Sequence, residues 1–266
     1  MEIKRVKLFV NDNDLSKRVA EEVTQELTKY GFEIVNENFD LGISIGGDGC
    51  FLRMVKSSNF NENVHYIGIN SGTLGFLQEI NIEDTKDFVR RLSIGDYKEE
   101  HLSVQQTNII TEDKTYNYTS LNEVVVRSKY FNTLKIDVYV DEEFLEHFSG
   151  DGLLISTSTG STAYNMSFGG SIVYNTLKTL SITPIAPLNN KFYKCLTNTV
   201  VIPDNKVIRL TPTQEHYNLF IMIDGENKEI DNVLKVETKV GTRTIKCLRM
   251  NDYHFIKIVN DKLLEK

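Results

Sequence analysis

The pattern of apolar residues changes character partway along the chain, and this change most constrains its fold. Up to about residue 100, short apolar runs alternate with helix-patterned segments. Residues 3–10 read as a buried strand. Residues 14–30 then place Leu15, Val19, Val23 and Leu27 on one face at helical spacing, and Gly31 follows where a helix C-cap belongs. Residues 32–35, 41–45 and 65–70 are short and mainly apolar, as strands are. A helix start is read at 50–56, and a further helix covers 82–92, ending before Gly95. Strands alternating with helices in this way predict an open, mostly parallel α/β sheet. After residue 100 the texture becomes β-rich, with strand-like runs at 107–111, 124–127, 135–140, 153–157, 199–202, 207–211, 219–223 and 244–248. These predict a mainly antiparallel second domain. The expected organisation is therefore α/β followed by mainly β. Residues 1–100 form the first domain and 101–250 the second, and a helical tail at 251–266 packs back on the first. Pro184, Pro187, Pro203 and Pro212 are read as turn markers.

Within the α/β half, Gly46, Gly47, Asp48 and Gly49 follow directly on the apolar run 41–45. Glycine tolerates close approach of a ligand to the backbone, and a helix start just beyond adds the positive end of its dipole. This is the pattern of an anion cradle, and a strand's carboxyl end in such a sheet is where ligands sit. Phosphate would repel Asp48, so the carboxylate needs a separate task. Accepting a proton from a hydroxyl nucleophile is the one its chemistry suggests. A second glycine loop, GINSGTLGF at 68–76, supplies Gly72, Gly75 and Phe76. It reads either as a plain connection or as a second wall of the same cleft.

The β-rich half carries two further signals. Asn122 and Glu123 open a strand and pair an amide with a carboxylate, suited to ribose hydroxyls or to a solvated edge. Residues 150–170 are dense in glycine and hydroxyls around Tyr164, and Ser161 is read as capping a short helical turn through Asn165. Small residues around one ring suit a flat base. Asp224 and Gly225 look equally like a hairpin turn. The five histidines have no metal-ligand spacing and read as surface or structural, and Cys50, Cys195 and Cys247 form no C-x-x-C pair and read as reduced thiols. A net charge of −7 argues against general nucleic-acid binding. With neither a membrane-length apolar run nor a signal peptide visible, the expected residence is cytoplasmic.

In this order, GGDG at 46–49, SGTLGF at 71–76, LNEV at 121–124, DGLLISTSTGSTAYNMSFGG at 151–170 and ITPIAP at 182–187 resemble the NAD kinase family. The resemblance implies transfer of a phosphoryl group from ATP or another donor to the 2′-hydroxyl of the adenosine ribose of NAD. Asp48 would match the proton acceptor. Gly46, Gly47 and Gly49 would hold phosphates, and Phe76 would border the adenosine. Asn122 and Glu123 would bind a ribose, and Asp151 would lie near the nicotinamide amide. Thr162, Ala163, Tyr164, Asn165 and Ser167 would surround the dinucleotide, with Ala186 and Asp224 also matched. It further implies magnesium arriving with ATP, no metal site of the chain's own, and a homo-oligomer, dimeric or tetrameric. Cys50, Ser158 and Glu226 stand where the family often carries Thr, Pro and Gln, and Ser149 where some bacterial members carry Arg. Two rivals stay open on the residues alone: a lipid or sugar kinase sharing the GGDG loop, and a non-catalytic NADP sensor.

Overall fold

The apolar runs of the first hundred residues build a parallel sheet. In the computed structural model, which describes residues 3–72, 75–130, 132–214 and 217–264, Leu41–Gly46 is buried at every position. It lies between Arg5–Val10 and His65–Asn70 and is parallel to both. A strand covered on both faces has no polar side, which is why its sequence shows no alternation. The expected strand at 32–35 shortens to Glu33–Ile34, an exposed edge beside Arg5 and Val6.

Helix Asp14–Lys29 opens on Asn13, whose Oδ1 accepts the Ser16 N–H at 2.8 Å. Its Val19, Val23 and Leu27 are buried, whereas Leu15, in the first turn, is 39% exposed. The helix read at 82–92 is a short 3-10 turn, Ile82–Asp84, followed by an α-helix, Thr85–Ser93. That helix adds Phe88, Val89 and Leu92 to the core.

The run 244–248 was expected with the antiparallel half. It is instead the end of one long strand, Glu226–Met250, where Lys246 and Cys247 pair parallel with His65 and Tyr66. The chain accordingly divides into two compact units. One comprises the segment ending at Leu102 together with everything from Thr244 onward, and the other runs from Ser103 to Arg243. The terminal helix Phe255–Leu263 belongs to the first. Leading into it, Tyr253 O accepts from Lys98 Nζ at 3.1 Å, and Asp252 pairs with Arg91 at 2.9 Å.

The strands of the second unit that follow pair antiparallel. Glu123–Ser128 lies between Gly152–Thr157 and Tyr217–Ile223, and Thr179–Ile185 and Val200–Pro203 extend the order outward. Leu134–Val140 pairs with Glu143–Gly150 and with Ile208–Pro212. Val124, Ile136, Ile155, Ile182, Leu210 and Ile221 share one core. Pro184 stands inside a strand rather than in a turn. Thr179–Ile185 pairs with its outer neighbour only as far as Ile182, so the proline falls where no outward N–H is needed. Among the described residues no helix is long and apolar enough to cross a membrane.

Candidate active site

In the first unit the chemistry gathers where Leu41–Gly46 ends. Gly47 is the N-cap of helix Asp48–Ser57, so the helix begins two residues before the expected start and Asp48 is its first residue. A Cβ on Gly46 would lie 2.8 Å from Cys50 Cβ, so packing requires that glycine. Gly47 differs, since its φ is −98° and a Cβ there would meet nothing within 4 Å. Neither conformation nor internal packing asks for glycine at 47, which leaves approach of a group from outside the chain as its use. Gly49 is exposed beside Arg53.

The Asp48 carboxylate turns to the second glycine loop. Its Oδ2 accepts the Phe76 N–H at 2.9 Å and its Oδ1 the Leu77 N–H at 3.0 Å. Gly75 makes room, because a Cβ there would stand 2.7 Å from Asp48 Oδ1. Burial raises the Asp48 pKa above the ordinary carboxylate value, against the lowering effect of the Phe76, Leu77 and Gln78 N–H groups and the Lys262 charge. Phe76 is half-buried, while Thr73 and Leu74 of this loop lie outside the described residues. Sequence reasoning passed over Gln78, whose Nε2 donates to Gly47 O at 2.8 Å. A buried amide just after an apolar loop was the available signal.

In the second unit Asp224 adopts φ +46° and Gly225 φ +81°, so the hairpin turn is real. Its carboxylate nonetheless reaches another strand. Oδ2 accepts the Leu121 N–H at 2.7 Å, and Oδ1 accepts those of Asn122 at 2.7 Å and Glu123 at 3.2 Å. Asn122 and Glu123 are both buried, and Asn122 Oδ1 and Glu123 Oε2 have no hydrogen-bond partner among the described residues. Burial, then the Asp224 charge, pushes the Glu123 carboxyl up to about 8, opposed by the Tyr164 N–H. Two orphaned buried acceptors are costly unless something else satisfies them.

Around them the 150–170 segment folds back tightly. A Cβ on Gly160 would lie 2.1 Å from Asn122 O, so the 3-10 turn Thr159–Thr162 rests on the backbone of the Asn122 strand. Ser161 does not cap. Its hydroxyl is taken by Val173, accepting from N at 3.0 Å and donating to O at 3.2 Å. Asn165 is fully buried and spends its amide on Ser161 O, Ser171 O and the Thr183 hydroxyl, which makes it a brace for the turn. Thr162 is buried with its hydroxyl on Thr159 O at 3.4 Å.

Ala163 and Tyr164 are half-buried and Ser167 is exposed. The Tyr164 ring packs edge-on against Phe168 at 4.8 Å. Asp151 and Ala186 meet at the end of the neighbouring strand pair, where Asp151 N donates to Ile185 O at 3.0 Å. Both are exposed, and Ala186 holds φ +44°. The structure thus joins Asn122, Glu123, Tyr164 and Asp224, and separately Gly46, Gly47, Asp48, Gly49 and Phe76. Among the described residues no group of three His, Cys, Asp or Glu is arranged to hold a metal. His65 is buried against Glu99 at 2.7 Å, and His216 lies outside the described residues.

Comparison with known proteins places the chain in a family. Residues 5–97 match the family described as ATP-NAD kinase N-terminal domain, and residues 121–249 match the ATP-NAD kinase C-terminal domain. The NAD kinase of Finegoldia magna is 37% identical over 98% of this chain and 98% of its own length. NAD kinase 2 of Bacillus subtilis is 31% identical over 95% of each. Among solved structures, yeast NADH kinase complexed with NADH superposes with a TM-score of 0.85 at 19% identity, covering 98% of this chain and 87% of that one. An NAD kinase from Archaeoglobus fulgidus in complex with ATP superposes with a TM-score of 0.78 at 21% identity, covering 98% and 99%. Carrying both domain signatures in order, and matched along nearly its whole length by curated relatives, the chain belongs to the NAD kinase family.

Proposed function

We propose that this chain transfers the terminal phosphoryl group of ATP to the 2′-hydroxyl of the adenosine ribose of NAD, producing NADP, with Asp48 as the general base. The O2′–P bond forms as the bond from the γ-phosphorus to its bridging oxygen breaks, and the 2′-hydroxyl proton passes to Asp48. The observation that carries this role is the placement of Asp48. It is a carboxylate of raised pKa at the first position of a helix, beside a Gly47 that leaves the backbone open. A higher pKa makes an ionised carboxylate a better proton acceptor. The helix N-terminus and its glycines receive phosphate oxygens.

Phosphoryl transfer depends mainly on alignment and charge neutralisation. Magnesium enters as part of the ATP substrate, held on the phosphate oxygens and by water, and supplies that neutralisation. The NAD side is assigned to the second unit. Asn122 Oδ1 and Glu123 Oε2 take ribose hydroxyls, and Tyr164, with Ala163 and Ser167 beside it, carries the base. Asp151 and Ala186 border the nicotinamide end. Asp224, Asn165 and Thr162 shape this surface from behind, through the hydrogen bonds they make within the unit. Cytoplasmic residence and a homo-oligomer, dimeric or tetrameric, complete the reading. It is tested with purified protein, NAD, ATP and magnesium, reading NADP through an NADP-specific dehydrogenase. Asp48→Asn is expected to lower kcat by roughly 10²–10⁴-fold, the usual range for a general base. Full turnover in that variant with unchanged NAD binding refutes the base assignment.

A further inference from the structure

Ser44 is a lone hydroxyl, fully buried in the middle of the apolar strand LGISIG, and Gln78 is a buried amide just past the second glycine loop, between Leu77 and Glu79. The two anomalies are partners. Ser44 Oγ donates to Gln78 Oε1 at 3.1 Å, and Gln78 Nε2 donates to Gly47 O at 2.8 Å. The amide orientation follows from chemistry, since a carbonyl can only accept and must therefore face the NH₂ group. Gly68 lies beneath: a Cβ there would fall 1.8 Å from Gln78 Oε1, so the glycine leaves the space that the amide fills.

Gly47 O belongs to the peptide group whose N–H is that of Asp48. In a trans peptide the C=O and N–H point in opposite directions. Holding Gly47 O toward Gln78 therefore aims the Asp48 N–H away from it, and fixes the plane from which the Asp48 side chain departs. Glycine at 47 makes rotation of this peptide cheap, because glycine accepts the backbone angles on either side of a flip. At the helix side Gly47 O also accepts the Cys50 N–H at 2.8 Å, so Gln78 is the second of two donors that hold this carbonyl. The carboxylate end is secured separately by the Phe76 and Leu77 N–H groups.

We infer that Gln78 is a positioning residue for phosphoryl transfer, holding the Gly47–Asp48 peptide together with the Cys50 N–H in the orientation that presents the helix N-terminus to phosphate and Asp48 to the acceptor hydroxyl. This rests on the reaction proposed above. Gln78 acts through Gly47 and Asp48 and needs no contact with substrate.

The test uses the full chain and three proteins: wild type, Gln78→Met and Gln78→Glu. Methionine keeps the length and burial and removes both hydrogen bonds. Glutamic acid donates to Gly47 O only while protonated, and its carboxylate repels that oxygen. In Gln78→Met, kcat is expected to fall by about 10–100-fold, the scale on which misplacement near the reacting groups acts, with the KM for NAD changed less than threefold. Gln78→Glu is expected to lose activity relative to wild type as pH rises, because ionisation withdraws its donor. A purely structural role would move the melting temperature without moving that pH ratio. Unchanged kcat in a folded Gln78→Met overturns the inference, as does a Gln78→Glu to wild-type ratio that is flat with pH. The second result decides the matter if the methionine variant does not fold. Wild type that forms no NADP refutes the reaction itself, whereas active wild type with indifferent variants refutes only the role of Gln78.

Discussion

Glu123 is a carboxyl whose ionisation the fold opposes, and that opposition lowers stability as pH rises. Its pKa is pushed from 4.5 to about 8, first by burial and then by the Asp224 carboxylate. A carboxyl whose folded pKa lies above its unfolded value binds more protons when folded, so stability is highest below pH 4.5 and falls as pH rises toward 8. With about 1.4 kcal/mol for each tenfold change in protonation preference, this one group costs about 3 kcal/mol at pH 7 and at most about 5 kcal/mol above pH 9. Glu123→Gln removes the titration while keeping an oxygen for the Tyr164 N–H. Urea denaturation of both proteins at pH 5, 7 and 8.5 isolates Glu123, because every other titrating group is common to the pair. Near-equal stability is expected at pH 5, with a variant more stable by a few kcal/mol at pH 8.5. A difference that does not change with pH would show that the site accommodates the ionised carboxylate, and would refute the reasoning.

Three further outcomes follow from the same geometry. Gly160→Ala forces a Cβ against Asn122 O, a rigid backbone atom. Overpacking of about 1–3 kcal/mol should lower the melting temperature by several degrees and weaken NAD binding more than ATP binding, read by thermal melts and calorimetry. Because burial raises the Asp48 pKa, the acid limb of kcat should lie above the ordinary aspartate value, with activity lost as pH falls through it; a limb at or below that value contradicts the base assignment. Arg249 is buried between Glu100 at 2.7 Å and Glu79 at 3.3 Å. Arg249→Met leaves both carboxylates unpaired and should cost about 3–5 kcal/mol in denaturant unfolding.

The residues that announced the two clusters were those whose chemistry is unusual in place. Three glycines around an aspartate after a buried strand, and a tyrosine among small hydroxyl residues, stand out whatever the surrounding fold. The strands at Thr115–Ser120, Glu143–Gly150 and Thr179–Ile185 were not legible. The first two are polar and partly exposed, and the third contains a proline, so none carries the apolar signature of a strand. Nor could the pattern tell that 244–248 ends a strand whose pairing turns parallel beside His65, because apolar runs look alike in either kind of sheet. The brace formed by Asn165 and the bonds between the Ser161 hydroxyl and the Val173 backbone depend on folding back over several residues. An Asn or Ser that braces has the same letter as one that meets a ligand.

Asp48 and Asp224 illustrate the point from opposite sides. Each offers its carboxylate to consecutive backbone N–H groups, Phe76 and Leu77 in one case and residues 121–123 in the other. A carboxylate has about four lone-pair sites. Asp224 accepts the N–H groups of residues 121–123 and latches the start of the strand Glu123–Ser128. Asp48 accepts the Phe76 N–H on one oxygen and the Leu77 N–H on the other, with the Gln78 N–H also acting on it, and keeps lone-pair capacity for a proton. It need not release the second glycine loop to act as a base. The same two bonds that restrain the side chain also hold back the rise in its pKa that burial causes. The backbone from Phe76 to Gln78 therefore restrains the base and tempers its strength, which ties the second glycine loop to the chemistry.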